Sequence, residues 1–293
     1  MNVARVLTMV LCLALVLAAC TKPVEEKPPA TSVIEQLEPG AAVEHYAELV
    51  RVRRAQPIDF AKMTALYDNH LRAYVVAADG RYGTKLAAEA TRALQAGAAG
   101  DNPVVSAQIA EKSIQRAFIL TFLRSLDELA ASGASEDAYK RVVTSVRVID
   151  AIALRRGKWA GKEREYADAL QFASVRLFEA INSREQGSIA ATAPQVADLA
   201  RKMILLSVFY ELQGLAKTRG TDADKASEKL VEARIYYDSL RPEHHRRNAK
   251  SAASVAKELA RTPDQINIAL LGTILRNDFL GELIGIEPHL LGG

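Results

Sequence analysis

From about residue 41 onward the chain is written in one register. Ala, Leu, Arg, Glu and Lys dominate, turn signals come every 15 to 30 residues, and no stretch alternates Val, Ile and Thr as a strand would. This pattern predicts helices at about 41–55, 58–78, 84–97, 103–131, 135–156, 162–183, 194–217, 222–240, 247–261 and 263–283. Gly80, Gly97, Gly133, Gly157, Gly220 and Pro242 read as stops. Asn102-Pro103, Thr192-Ala193-Pro194 and Thr262-Pro263 read as starts, because a proline in the first turn gives up an N–H that had no partner there. The stretches Gln108–Leu129 and Gln195–Leu215 are apolar on most faces, which is the pattern of a buried helix.

The apolar pattern also repeats. Gln108-Ile109 is followed fourteen residues on by Phe122-Leu123, Gln195-Val196 by Phe209-Tyr210, and Gln265-Ile266 by Phe279-Leu280, all without gaps. Ala93-Leu94 and Ala180-Ile181 stand at matching distances upstream, and Tyr67-Asp68, Ile149-Asp150 and Tyr237-Asp238 mark an earlier helix of each segment. The expectation is an all-α domain over 41–283, either a multi-helix bundle or a short helical array. It would be built from about three divergent three-helix units at 57–132, 134–219 and 221–283, with 284–293 as a C-terminal tail. In each unit an Asp-bearing helix would precede a short amphipathic helix and a long apolar one.

The first 40 residues are different. Arg5 is the only charge before a short apolar run from Val6 to Val16, and Leu17-Ala18-Ala19-Cys20 closes the segment. About 14 apolar positions fall short of the ~20 residues a spanning helix needs, so 1–19 reads as a secretory signal peptide. The ending resembles the lipobox of bacterial lipoproteins. That resemblance implies cleavage before Cys20, acylation of Cys20 (palmitate among the chains), and a location in the cell envelope. The absence of Asp at position 21 implies the outer membrane, facing the periplasm, in a Gram-negative host. Residues 20–40 then read as the lipidated Cys and a Pro-, Lys- and Glu-rich flexible tether.

Composition removes several function classes. Loss of the signal takes Cys12 with it, and Cys20 would carry lipid, so the mature domain has no thiol for a disulfide or a zinc thiolate site. It would hold 37 basic and 35 acidic side chains, far from the basic profile of a nucleic-acid binder. No Glu-x-x-His, His-Glu-x-x-His, Gly-x-Ser-x-Gly, Walker A or Rossmann glycine pattern occurs. The expected protein is non-enzymatic and needs no cofactor.

Two constellations remain. Asp68, Asp150 and Asp238 recur at matched positions although Asp suits helix interiors poorly. They read either as surface ion pairs with Arg72, Arg147 and Arg234, or as a cation site gathered near Gln108, Gln195 and Gln265. Glu44-His45 and Asp68-Asn69-His70, on neighbouring helices, make His45 and His70 candidate metal ligands; His244-His245 reads as a solvated basic turn. Basic connectors follow each Asp-bearing helix: Arg81 to Lys85, Arg155 to Lys162, and Arg241 to Arg247. They read either as cations at helix C-termini or, if the units are equivalent, as one contact surface made of Arg155, Arg156, Lys158, Trp159, Arg246 and Arg247. The leading functional expectation is a lipid-anchored envelope binding or scaffold protein that contacts an envelope protein or an anionic glycolipid. The alternative is a periplasmic small-ligand or metal-ion binding protein that uses core carboxylates.

Overall fold

The computed structural model describes residues 40–286. The signal peptide, Cys20 and the tether lie outside the described residues, as does the tail beyond Ile286. Among the described residues the fold is all-α, with ten helices and no strand. No described helix is long and apolar enough to cross a membrane.

Helix α1 runs over Ala41–Arg54. Helix α2 is continuous from Phe60–Leu66 through a π turn at Tyr67–Leu71 to Arg72–Tyr82. Then follow α3 Leu86–Ala98, α4 Pro103–Ser132, α5 Glu136–Trp159 and α6 Glu165–Asn182. The rest are α7 Gln186–Thr218, α8 Ala223–Arg247, α9 Ala249–Leu259 and α10 Ile268–Asp278.

Local chemistry sets most of these ends. Asp59, Asn102, Ser135, Asp222, Asn248 and Asn267 each accept a backbone N–H three residues on, which satisfies a donor the helix leaves open. Pro103 occupies the first turn of α4, as its position predicts. Gly133 ends α4 at φ 77°, in the left-handed region where a side chain is strained.

Several boundaries depart from the sequence reading: Gly80 and Gly157 lie inside α2 and α5, which run on to Tyr82 and Trp159, and three helices differ more. Helix α7 starts at Gln186, and Pro194 lies inside it. The buried Ile189, Thr192 and Ala193 hold its first turns against the core despite the hydrogen bond that proline removes. Helix α8 runs through Pro242 to Arg247 because Leu240 and His244 are both buried on its inner face. Helix α10 is short, and Pro263 lies in the loop before it.

The order of Asp-bearing, short and long helices recurs in α2–α3–α4 and α5–α6–α7. In α8–α9–α10 the third helix has 11 residues, against 30 in α4 and 33 in α7. Phe122, Phe209 and Phe279 are all buried. Gln108 is buried, but Gln195 and Gln265 are exposed, so the glutamines do not share one environment.

Two apolar clusters meet on α4. One joins α1, α2, α3 and α4 up to Leu120; the other joins α4 from Ile119 onward with the later helices. Pair contacts give the directions. Asn102 meets Asp224, Gln108 meets Glu232 and Lys112 meets Tyr236, so α8 runs parallel to α4. Arg141 meets Ser125, while Arg155 and Arg156 line one cleft with Glu111 and Lys112, so α5 runs antiparallel to α4.

Candidate functional site

The site begins with an inversion of the usual pattern. Gln108, Glu111, Lys112 and Gln115 fall at i, i+3, i+4 and i+7 on one face of α4, the spacing of an apolar stripe. All four are buried. Helix α8 answers with Lys229, Glu232 and Tyr236 at i, i+3 and i+7, and α7 adds Tyr210 and Glu211. Helices α1 and α5 close the sides. Together they form a cleft of about 370 Å3 between α1, α4, α5, α7 and α8.

On the floor most charges are paired. Lys112 Nζ lies 3.1 Å from Glu111 Oε1 and 3.4 Å from Glu232 Oε1. It also donates to Gln115 Oε1 at 3.1 Å. Arg53 forms a short ion pair with Glu111, and Tyr46 Oη donates to the same carboxylate. Lys229 Nζ bridges Glu211 and Glu232, at 2.8 Å from each. Buried ions are tolerated only with partners of this kind, because desolvation costs several kcal/mol per ion.

The electrostatics follow from that wiring. Burial opposes ionisation of Glu111, yet Lys112 and Arg53 hold its carboxyl below the usual range. Glu232 is likewise held down against burial by Lys112 and Lys229. Glu211 goes the other way: burial and the neighbouring Glu232 carboxylate push it up to about 8. Glu111 and Glu232 carry the buried negative charge, while Glu211 holds its proton well into the neutral range.

Arg156 is the exception on this floor. It is 5% exposed, and its guanidinium lies over the Tyr210 ring at 3.9 Å from the centroid. Its nearest carboxylate contact is Nη1 to Glu211 Oε1 at 3.9 Å, too long for a hydrogen bond. Its Nε and Nη1 are both buried without a partner. Gly157 helps to fix it in place: a Cβ there would stand 2.3 Å from the Glu163 backbone oxygen, so only glycine lets the chain fold back against the end of α5. Exposed Arg54 and Arg155 stand at the mouth. Seven cationic side chains and four acidic ones line the cleft, a formal surplus of three positive charges.

The sequence-derived site residues fall elsewhere or apart. The proposed six-residue contact surface is not one surface. Arg155, Arg156, Lys158 and Trp159 end α5, near the start of α4, whereas Arg246 and Arg247 end α8 in the opposite direction. Antiparallel α5 and parallel α8 make that separation unavoidable. Trp159 is partly buried and meets Tyr210 edge-on at 5.6 Å. Arg246 and Arg247 are already paired, both to Glu243 and Arg247 also to Glu282. Of the six, Arg155 and Arg156 belong to the cleft.

The cation candidates do not assemble either. Among the described residues no three His, Cys, Asp or Glu side chains are placed to hold a metal ion. Asp68 is exposed in the π turn and pairs with Arg72 at 3.3 Å, as its spacing predicts. Asp150 is partly buried on α5. Asp238 pairs with Arg116 of α4 at 3.4 Å, while Arg234 donates to the backbone oxygens of Leu259 and Arg261. His45 and His70 stack, 3.7 Å between centroids and 11° between planes.

His244 corrects the expectation of a solvated turn. It is fully buried, with Nε2 2.8 Å from Asp278 Oδ2 and Nδ1 3.0 Å from Tyr237 Oη. Comparison with protein-family models, with characterised proteins and with solved structures finds no match to this chain.

Reading the sequence missed Glu111, Lys112, Glu211, Lys229 and Glu232. For Glu111 and Lys112 the available signal was charged residues at helical spacing inside the otherwise apolar α4; Lys229 and Glu232 are two charges among many on α8.

Proposed function

We propose that this chain is a lipid-anchored cell-envelope protein whose helical domain binds a small molecule in the cleft between α1, α4, α5, α7 and α8. The observation that carries this reading is Arg156, a buried cation on the cleft floor with two unpaired N–H donors. A purely structural arginine at that depth would be expected to find partners, since a buried donor left open costs about 1–3 kcal/mol. The cleft volume falls within the usual range for small-molecule sites, about 300–1,000 Å3. The anchor rests on the Leu17-Ala18-Ala19-Cys20 ending, and its outer-membrane, periplasm-facing placement on the residue after it. Separation of the basic turns removes the main support for a scaffold that works through one cationic face.

The test is native mass spectrometry on the full chain extracted gently from its own envelope, beside an Arg156→Met variant made in the same way. A bound small molecule should accompany the wild type and be lost from the variant, while the helical circular dichroism is unchanged. A ligand-free wild type that also binds nothing in a metabolite screen would reject the reading.

A further inference from the structure

Within the cleft the polar groups are not equivalent. Glu111 and Glu232 are each held by two cationic partners, and Glu211 by Lys229. No carboxylate on the floor is without a cation, so the floor offers little to a metal ion or an amine. Among the residues that line the cleft, Arg53 Nε and Glu111 Oε2 face each other in their ion pair, and the buried atoms left beyond that pair are donors, Arg156 Nε and Nη1; Gln108 Oε1 is open too but does not line the cleft. A guanidinium in a fixed plane matches a carboxylate or phosphate, whose oxygens accept such donors with charge assistance. Stacking on Tyr210 supplies that fixed plane. Arg54 and Arg155 at the mouth add a positive potential that favours entry of an anion.

The side walls are of another kind. Val43 and Val50 on α1 and Val148 and Ala151 on α5 present apolar atoms to the same space. Water against such walls is displaced favourably by hydrocarbon.

We infer that the cleft takes a small amphipathic oxyanion, its carboxylate or phosphate on Arg156 and a short apolar body against Val43, Val148 and Ala151. This rests on the small-molecule reading above and goes further by fixing the charge and shape of the ligand. The oxyanion head satisfies the two open donors, and the hydrocarbon part covers the apolar wall. An inorganic anion would meet only the first requirement, and a neutral lipid fragment only the second.

Calorimetric titration of the full chain in zwitterionic nanodiscs tests it, with hexanoate, hexyl phosphate, hexanol, hexylamine, inorganic phosphate and calcium as probes. Hexanoate or hexyl phosphate should bind, and whichever binds more tightly identifies the head group. Hexanol, hexylamine and calcium should not bind, and inorganic phosphate should bind at least tenfold more weakly than hexyl phosphate. Arg156→Met should weaken the best probe roughly 10- to 100-fold, the range of a charge-assisted hydrogen bond. Ala151→Glu, at a partly exposed wall position, places a negative charge beside the ligand; it should weaken the same probe with no change in melting temperature. Binding of hexanol equal to hexanoate, or of hexylamine that is equal to hexanoate and tightens in Ala151→Glu, would overturn the oxyanion while leaving a small-molecule site. Binding of no probe by the wild type, with a neutral or cationic molecule in native mass spectra, would do the same. Binding of no probe and no native molecule would overturn both.

Discussion

Two buried polar clusters sit in this domain and differ in completeness. Around His244 the wiring is closed. Tyr237 Oη donates to the Ala252 backbone oxygen at 2.9 Å and meets His244 Nδ1; His244 Nε2 meets Asp278. Asn248 donates to Asp278 Oδ1 at 3.3 Å and caps α9 with its own oxygen. No buried side-chain nitrogen or oxygen in this knot lacks a partner. The knot ties α8, α9 and α10 together. The cleft cluster joins five helices, yet apart from the Arg53–Glu111 ion pair it leaves Arg156 Nε, Arg156 Nη1 and Gln108 Oε1 without a hydrogen-bond partner. Closed wiring is what a structural cluster needs, because each open buried group costs stability. Open donors beside a cavity are what a binding site needs, because a ligand can then close them.

Breaking each cluster sharpens the contrast. The largest effect is expected from Lys112→Met. It removes one cation shared by Glu111 and Glu232 and leaves buried charge undercompensated, which costs about 3–5 kcal/mol. At roughly 2–4 °C per kcal/mol for a domain of this size, the melting temperature should fall by about 10 °C or more. An unchanged melting temperature would mean that the floor is wetter and less demanding than its burial indicates.

Next comes His244→Leu. Tyr237 and Asp278 lose their shared partner, for an expected loss of about 2–3 kcal/mol in denaturant unfolding. Ligand binding at the cleft should be untouched, because His244 stands about two turns beyond Tyr236 along α8 and neither it, Tyr237 nor Asp278 lines the cleft. Loss of binding in this variant would join the two clusters functionally and end the comparison.

The last test is a pH dependence. Glu211 titrates at about 8 in the folded protein, above its ordinary carboxyl value of 4.5. A folded pKa that is raised means the folded state holds more protons than the unfolded state between those values. Stability must then fall as pH rises from about 4.5 to 8. Melting temperatures should decline across pH 5 to 8, and Glu211→Gln should flatten that slope. Glu232, held down to about 2, loses its contribution only as pH falls below 4.5, outside this window. An equally steep slope in the variant would place the titration elsewhere.

The helices themselves were largely legible. Asn102-Pro103, Gly133, Ser135 and Asp222 mark ends that the structure keeps, because a cap or a left-handed glycine acts within four residues of its own position. Pro194 and Pro242 misled for the same reason. Each carries a local preference for an end, and each was outweighed by buried neighbours that only the packed helix brings against the core.

The charged floor was not legible, although every residue of it was in plain view. Gln108 meets Glu232, and Lys112 meets Tyr236, across 124 residues of chain. Arg156 read as a cation at a helix end or in a contact surface and is instead among the most enclosed charges of the described residues. By itself the sequence determined the helical class, the order of elements and most of their ends, because these depend on free energies spent within one or two turns. Tertiary structure alone decided which face of α4 turned inward, that α5 and α8 run in opposite directions, and which guanidinium kept N–H groups without a hydrogen-bond partner. Whether a buried charge is satisfied depends on side chains brought from distant helices, and no local pattern carries that information.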